Sequence, residues 1–191
     1  MVSGDPPEAD PSSRRGVLRA AGAAAGGLMV TACGHASLKA LVHNSAPLLN
    51  TDVELLNHLL DLEHWAIAAY TAGTPLLPPA VVKAGQLFLN DELSHAGELA
   101  GLVKAAGGKP GKPAASYPLG HPRSSDDVLK LLHDIENRQL TAYLSAVTVL
   151  EPGFVKASVA SILANDAQHV AVLRAALHRP AVPSPFETGR A

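Results

Sequence analysis

One stretch of this sequence, residues 88–103, reads FLNDELSHAGELAGLV. Its apolar residues recur at spacings of three and four, which is the period of a helix that buries one face. Glu92 and His95 lie three positions apart, so they fall on that same face in the middle of the apolar stripe. Because a buried polar group needs a partner, this pattern predicts a helix that serves chemistry as well as packing.

The rest of the chain has three further segments with this period, separated by proline-rich breaks. Helices are predicted from Thr51 or Asp52 to Ala72, from Ala80 to Ala106, from a cap at Ser124, Ser125 or Asp126 to Leu150, and from Phe154 to Leu177. Two of the connections are short, whereas residues 107–123 form a stretch long enough to run back along the helices. The sequence therefore predicts an all-α fold, an antiparallel four-helix bundle with one long crossover between helices two and three.

The composition excludes several classes of protein. The 191 residues carry 15 Lys and Arg against 17 Asp and Glu, a formal net charge of −2, so no nucleic-acid partner is expected. Apolar residues make up 47% of the chain but aromatic residues only 4%, which favours helices over sheets. The single cysteine, Cys33, excludes an intramolecular disulfide and any four-cysteine zinc or iron site. Histidines are therefore the more suitable metal ligands.

Each predicted apolar stripe carries one acid near its middle: Glu63, Glu92, Glu136 and Asp166. A buried carboxylate is costly unless it is protonated, paired or bound to a metal, and no Lys or Arg falls on these stripes. Two divalent cations would balance four carboxylates, and His95 and His169 would add two neutral ligands. If the stripes are rotated by a quarter turn, the acids instead lie on the surface. Either histidine could also be a hydrogen-bonded core residue.

This set of residues resembles the di-iron or di-manganese carboxylate site of ferritin-like proteins, which use one Glu from each of two helices and Glu-x-x-His from the other two. Glu63 and Glu136 match the single acids, and Glu92 with His95 matches the first pair. Asp166-Ala167-Gln168-His169 matches the second pair with Asp where the family usually has Glu, which could weaken one metal position. The resemblance covers about residues 51–177 and implies two Fe or two Mn ions.

An internal repeat supports this resemblance. Glu63 and Tyr70 on the first helix mirror Glu136 and Tyr143 on the third, 73 positions later. Glu92 and His95 on the second helix mirror Asp166 and His169 on the fourth, 74 positions later. Two helix hairpins related by a pseudo-twofold axis would bring two equivalent sets of side chains face to face.

Several neighbouring residues have two interpretations. Tyr70 and Tyr143 lie two turns after an acid on the same helical face, where they could donate to the site, act as radical-capable neighbours or simply pack in the core. Asp91 and Asn165 could orient the histidines or lie in solvent. His133, three residues before Glu136, could extend the site. Surface positions are expected for the remaining candidates, His58, His64, His121 and Glu98.

The first 33 residues differ from the rest of the chain. Arg14 and Arg15 precede a Gly-containing apolar run over 20–32, and Cys33 follows it. With a branched residue, Val30, and a small residue, Ala32, ahead of Cys33, this pattern resembles a twin-arginine export signal closed by a lipobox. A membrane-spanning helix is the other interpretation, but this run has thirteen residues and about 20 are needed to cross a bilayer. The resemblance implies export in the folded state, a lipid on Cys33 and anchoring to the outer face of the cytoplasmic membrane.

The predicted layout of the chain has four parts. Residues 1–33 form the signal, 34–50 a tether, 51–178 the ferritin-like bundle and 179–191 a proline-rich tail that is expected to be loose. A rubrerythrin is excluded because only one cysteine exists, and a large storage cage does not suit a tethered chain. A homodimer is left open.

The expected function is that of an exported, lipid-anchored dimetal protein that oxidises Fe(II) with dioxygen or peroxide, or removes peroxide. A manganese catalase-like enzyme is a third option, since oxygen and imidazole ligands suit Mn and Fe alike. The alternative is a non-catalytic metal-binding or structural envelope lipoprotein, which Asp166 favours. Whether the chain is an enzyme therefore stays open at the level of the sequence.

Overall fold

The computed structural model describes residues 50–151 and 153–190. Within these residues the chain forms four long helices and no strand. The helices are α1 (Asn50–Gly73), α2 (Pro79–Ala105), α3 (Ser125–Val149) and α4 (Gly153–Ala176), and a short 3-10 turn (Thr74–Leu76) follows α1. The predicted all-α four-helix bundle is confirmed, and each helix end lies within two residues of its predicted position.

Local chemistry explains where α3 begins. Ser124 is extended and accepts a hydrogen bond from the backbone N–H of Asp127, whose carboxylate accepts one in return from the N–H of Ser124. This reciprocal capping box satisfies two backbone donors at the start of the helix. Of the three caps that the sequence offers, the structure uses the first.

The crossover, residues 106–124, is irregular and lies along α1. Asn57, in the first half of α1, donates to the carbonyl of Lys109 (3.2 Å) and accepts from the N–H of Gly111 (2.7 Å). Further along, the Tyr117 hydroxyl donates to Asp61 (2.9 Å). The crossover thus follows α1 and returns the chain to the opposite end of the bundle before α3 starts.

The core consists of two apolar clusters with a polar layer between them. One cluster includes Leu56, Leu59, Leu60, Leu99, Leu102, Val103, Ala146, Leu150, Val155, Val159 and Ile162. The other includes Ala66, Ala69, Leu77, Phe88, Val128, Leu129, Leu132, Ile135 and Leu173. On every helix the predicted acid lies between the residues of the two clusters, so the polar layer is enclosed by apolar packing on both sides along the bundle axis.

The proline-rich tail contacts α3, contrary to the expectation that it is loose. The Thr141 hydroxyl lies 3.4 Å and 3.2 Å from the carbonyls of Thr188 and Gly189. Gly189 has a φ of 67°, and a Cβ atom there would come within 2.4 Å of the Asn137 carbonyl. Only glycine permits this close approach of the tail to the helix.

Two predicted segments lie outside the described residues. They are the export signal over residues 1–33 and the tether over 34–50, except for Asn50, which begins α1. Across 50–151 and 153–190, no helix is long and apolar enough to cross a membrane.

Candidate metal centre

The structure brings together all six residues that the sequence singled out as ligands. All six are buried: Glu63, Glu92, Glu136 and Asp166 are 0% exposed, His169 is 1% exposed and His95 is 9% exposed. The quarter-turn alternative, in which the acids face solvent, is therefore wrong. Each helix contributes its residues from the polar layer between the two apolar clusters.

The six side chains form two groups whose ligand atoms lie within 4.8 Å of one another. Group one contains Glu92, Glu136, Asp166 and His169, and group two contains Glu63, His95 and Asp166. In group one, His169 Nδ1 lies 3.1 Å from Glu92 Oε1 and 3.2 Å from Glu136 Oε1. In group two, His95 Nδ1 lies 3.3 Å from Asp166 Oδ1 and 3.7 Å from Glu63 Oε2. Asp166 is the one residue that belongs to both groups.

The two tyrosines cross between the halves of the bundle. The Tyr70 hydroxyl on α1 donates to Glu136 Oε1 on α3 (2.5 Å), and the Tyr143 hydroxyl on α3 donates to Glu63 Oε1 on α1. Both tyrosines are fully buried. The exchange follows the pseudo-twofold relation that the internal repeat predicts, and it makes the tyrosines direct partners of the acids rather than packing residues alone.

His169 has a carboxylate partner on each side of its ring. Its Nδ1 faces the acids of group one, and its Nε2 lies 3.2 Å from Asp91 Oδ2 on α2. Asp91 therefore orients the imidazole, in the way that carboxylates often orient metal-binding histidines. Asn165, its counterpart on α4, lies beside His95, but Asn165 Oδ1 has no well-formed hydrogen bond within the described part of the chain.

His133 does not extend the site, contrary to one of the sequence-based options. It is buried, but its neighbours are Asn137, which donates to the His133 carbonyl at 2.7 Å, and Asp134, at 3.7 Å from Nδ1. It is absent from both ligand groups. Of the four residues expected at the surface, three are exposed (His58, His121 and Glu98) and His64 is half-buried.

Sequence reasoning missed Gln139. This residue is fully buried on α3, and its Nε2 donates to Glu92 Oε2 at 2.9 Å. It lies three positions after Glu136, which is the spacing of the Glu92–His95 pair, and that spacing was the available signal. The repeat places Ala66 at the equivalent position of α1, so Gln139 makes the two halves of the site unequal.

A family model of the ferritin-like domain matches residues 51–179 of the chain. The chain belongs to the ferritin-like domain family. None of the curated proteins matches this ferritin-like chain. The family match spans all four helices, and so includes every residue of both ligand groups.

Two crystal structures are similar to this ferritin-like protein. One, of the conserved hypothetical protein rv2844 from Mycobacterium tuberculosis, is 22% identical, with a TM-score of 0.64 over 67% of this chain and 98% of that one. The other, of ferritin-like, diiron-carboxylate proteins from Bacillus anthracis str. Ames, is 19% identical, with a TM-score of 0.59 over 66% of this chain and 95% of that one. At these identities the similarity establishes the fold.

The electrostatics of the ferritin-like site reflect crowded, buried acids. Burial and the nearby charges of Glu92 and Asp166 raise the pKa of Glu63 well above its ordinary value. Burial and the charges of Glu136 and Glu92 do the same to the pKa of Asp166. Burial together with the Glu92 charge raises the pKa of Glu136 to about 7. Three of the four acids thus favour the protonated state when no cation balances them.

His169 and Glu92 shift in the opposite sense to an isolated buried group. Burial lowers the pKa of His169, but its contacts with Glu136 and Glu92 outweigh burial and raise that pKa to about 11. For Glu92, burial raises the pKa, and hydrogen bonding with His169 outweighs it, so the pKa is lowered overall. His169 is therefore protonated and positively charged, and it lies beside an ionised Glu92 carboxylate.

The donor set fits divalent cations. Several buried oxygen atoms have no hydrogen-bond partner within the described residues, among them Glu63 Oε2, Glu136 Oε2 and Asp166 Oδ2. The buried polar residues of this part of the chain include no Lys or Arg. Buried, unsatisfied carboxylate oxygens without a Lys or Arg partner carry a large free-energy cost, which metal coordination would remove.

Proposed function

We propose that this ferritin-like protein holds two Fe or two Mn ions in its polar layer and oxidises Fe(II) or removes peroxide there. The observation that carries the proposal is the buried cluster of four acids and two histidines with unpartnered oxygen atoms. Group one would hold one ion and group two the other, with Asp166 contributing to both. Oxygen and imidazole ligands suit Fe and Mn equally, so the ligand types do not choose between them.

The residues around the ligands have separable tasks. Bound Fe or Mn would supply the redox chemistry. Tyr70 and Tyr143 hold one oxygen of Glu136 and Glu63, so that each carboxylate keeps a fixed orientation. Asp91 holds the ring of His169, and the apolar clusters on both sides exclude bulk water. Such preorganisation stabilises charge in a site without reorganisation during reaction.

Replacing Glu92 by glutamine tests the proposed activity. Glu92→Gln keeps the shape of the side chain but removes one of the four charges, so Fe(II) oxidation and peroxide consumption are expected to be abolished. The measurement is the rate of both reactions on metal-loaded protein, together with metal content per chain. Glu98→Gln, on the exposed side of the same helix, is the matched control. The proposal would be contradicted if the purified protein contained no Fe or Mn and if adding either metal did not raise its melting temperature.

The second candidate is a metal-binding or structural envelope lipoprotein that does not turn over. Asp166 favours this candidate. It belongs to both ligand groups, and at this position the family usually has Glu, whose longer side chain reaches further toward a metal ion. Metal-loaded wild-type protein that binds ions but oxidises no Fe(II) and consumes no peroxide would support this candidate. Turnover that Glu92→Gln abolishes would exclude it.

We further propose that the chain is exported by the twin-arginine route and anchored through a lipid on Cys33. The support is the residue pattern around Arg14, Arg15 and Cys33. A folded protein can take up its metal in the cytoplasm before export. Cys33→Ala is expected to move the protein from the membrane to the soluble extracytoplasmic fraction, measured by fractionation, whereas Arg14→Lys with Arg15→Lys is expected to retain it in the cytoplasm. Unchanged fractionation of both variants would contradict the proposal.

A further inference from the structure

A small cavity lies at one end of the polar layer, between all four helices. Its volume is about 30 Å³, and it is largely enclosed. Its inner wall includes Tyr70 and Phe88, and its outer wall includes Ala84 on α2 and Val172 on α4. Val172 is 45% exposed, so the outer end of the cavity lies close to solvent. The cavity therefore occupies the space between the surface and the candidate metal centre.

The inner wall of the cavity contacts residues of group one directly. The Phe88 ring stacks on the His169 ring with 4.0 Å between centroids and 26° between planes. Tyr70 donates its hydroxyl to Glu136. A molecule in the cavity would therefore be separated from the ligand group by a single layer of side chains.

The lining of the cavity is chemically uniform. Except for Tyr70 and Gly85, every residue that lines it has an aliphatic or phenyl side chain. The one side-chain hydroxyl, on Tyr70, is already used by Glu136. Fe(II) and hydrogen peroxide would find neither a ligand nor a hydrogen-bond partner there, whereas apolar cavities of this kind stay dry and bind apolar gases such as xenon. A water-sized sphere needs roughly 10–15 Å³, so the volume suffices for a diatomic molecule.

We propose that this cavity admits and holds dioxygen, and that dioxygen rather than peroxide is the oxidant which reaches the site from this end. The proposal rests on the proposed function, because it names the oxidant of that same centre. Iron and peroxide, being polar, would have to enter by another route, such as the side of His95, the most exposed of the six residues.

Xenon binding tests the cavity without any need for metal or turnover. The metal-free full chain is expected to take up xenon at this position, seen as density in a xenon-pressurised crystal or as a shift of the xenon NMR signal. Ala84→Phe fills the cavity and is expected to lose that site, whereas Ala160→Phe, at an exposed position of α4, is the matched control. Absence of xenon from the wild-type cavity would overturn the proposal.

Kinetics then assign the cavity to dioxygen. With iron-loaded protein, Ala84→Phe is expected to slow oxidation by dioxygen and to leave oxidation by peroxide at the rate of the control. Val172→Trp narrows the exposed end and serves if Ala84→Phe does not fold. Equal slowing of both oxidants would overturn the assignment. A chain that binds xenon but does not oxidise iron would instead contradict the proposed function.

Discussion

Adding Fe(II) or Mn(II) to the metal-free protein is expected to raise its melting temperature, and Asp166→Asn is expected to abolish that gain. A ligand at a hundred times its dissociation constant stabilises the folded state by about 2.7 kcal/mol. Two such sites in a domain of this size correspond to a shift on the order of 20 °C. Asp166 contributes to both groups, so its loss weakens both positions at once.

The metal-free variant separates metal binding from packing. Because burial and the neighbouring acids oppose the charge on Asp166, metal-free Asp166→Asn is expected to melt no lower than metal-free wild type.

Glu63, by contrast, belongs to group two only, so Glu63→Gln is expected to retain one bound ion of the two. Thermal melts with and without metal, and metal content by mass spectrometry, measure both effects. Asp134→Asn, exposed on α3, is the control, and an undiminished gain in Asp166→Asn would contradict the assignment of Asp166 to both ions.

Without metal, the protein is expected to become less stable as the pH rises from about 5 to about 8. The folded pKa of Glu136 is about 7 against an ordinary value of 4.5, so folding holds a proton that the unfolded chain releases in that window. At about 1.4 kcal/mol per pKa unit, this group alone removes about 3 kcal/mol. The raised pKa values of Glu63 and Asp166 act in the same direction.

His169 extends this loss to higher pH. Its pKa rises from 6.5 to about 11 on folding, so its contribution is complete below pH 6.5 and is lost as the pH rises toward 11. Glu92, whose pKa is lowered, opposes the trend only where the unfolded carboxyl titrates, near its ordinary value of 4.5. The lowered pKa values of His64, His95 and His133 also oppose the trend, up to about pH 6.5, where the unfolded histidines titrate. Because the raised pKa values of His169 and the three acids outweigh them, a net loss of stability with rising pH is expected between about pH 5 and about pH 8.

Bound metal is expected to reverse the dependence of folding stability on pH. Bound cations displace the protons, so the metal-loaded protein gains stability as the pH rises and protons compete less for the ligands. Urea unfolding followed by circular dichroism, in chelator and in excess Mn(II), measures the two slopes. Equal slopes in both conditions would show that these acids do not hold the metal.

Local sequence accounts for most of the fold. Apolar spacing of three and four along α2 and the other helices, together with the proline-rich breaks, predicts the helix ends because both act over one or two turns. The Ser124 cap is likewise a local hydrogen-bond pattern. The position of one acid in each stripe predicts the polar layer, since residues on the same helical face must share the same surroundings.

Tertiary structure decides which side chains meet within that layer. Tyr143 reaches Glu63 across 80 positions of sequence, and Gln139 reaches Glu92 across 47. Helical periodicity says that these residues are buried but not which one faces which. The same holds for Asp166 in both groups and for the glycine contact that joins the tail to α3.

By itself, then, the sequence determined four helices, their ends, and a buried layer of four acids and two histidines, because those features follow from the period of a single helix. Only the tertiary structure decided that the layer divides into two groups which share Asp166, that His133 is excluded, and that Gln139 makes the halves unequal. Those features depend on the distances between helices. Those distances are determined by the packing of side chains that lie far apart in the sequence.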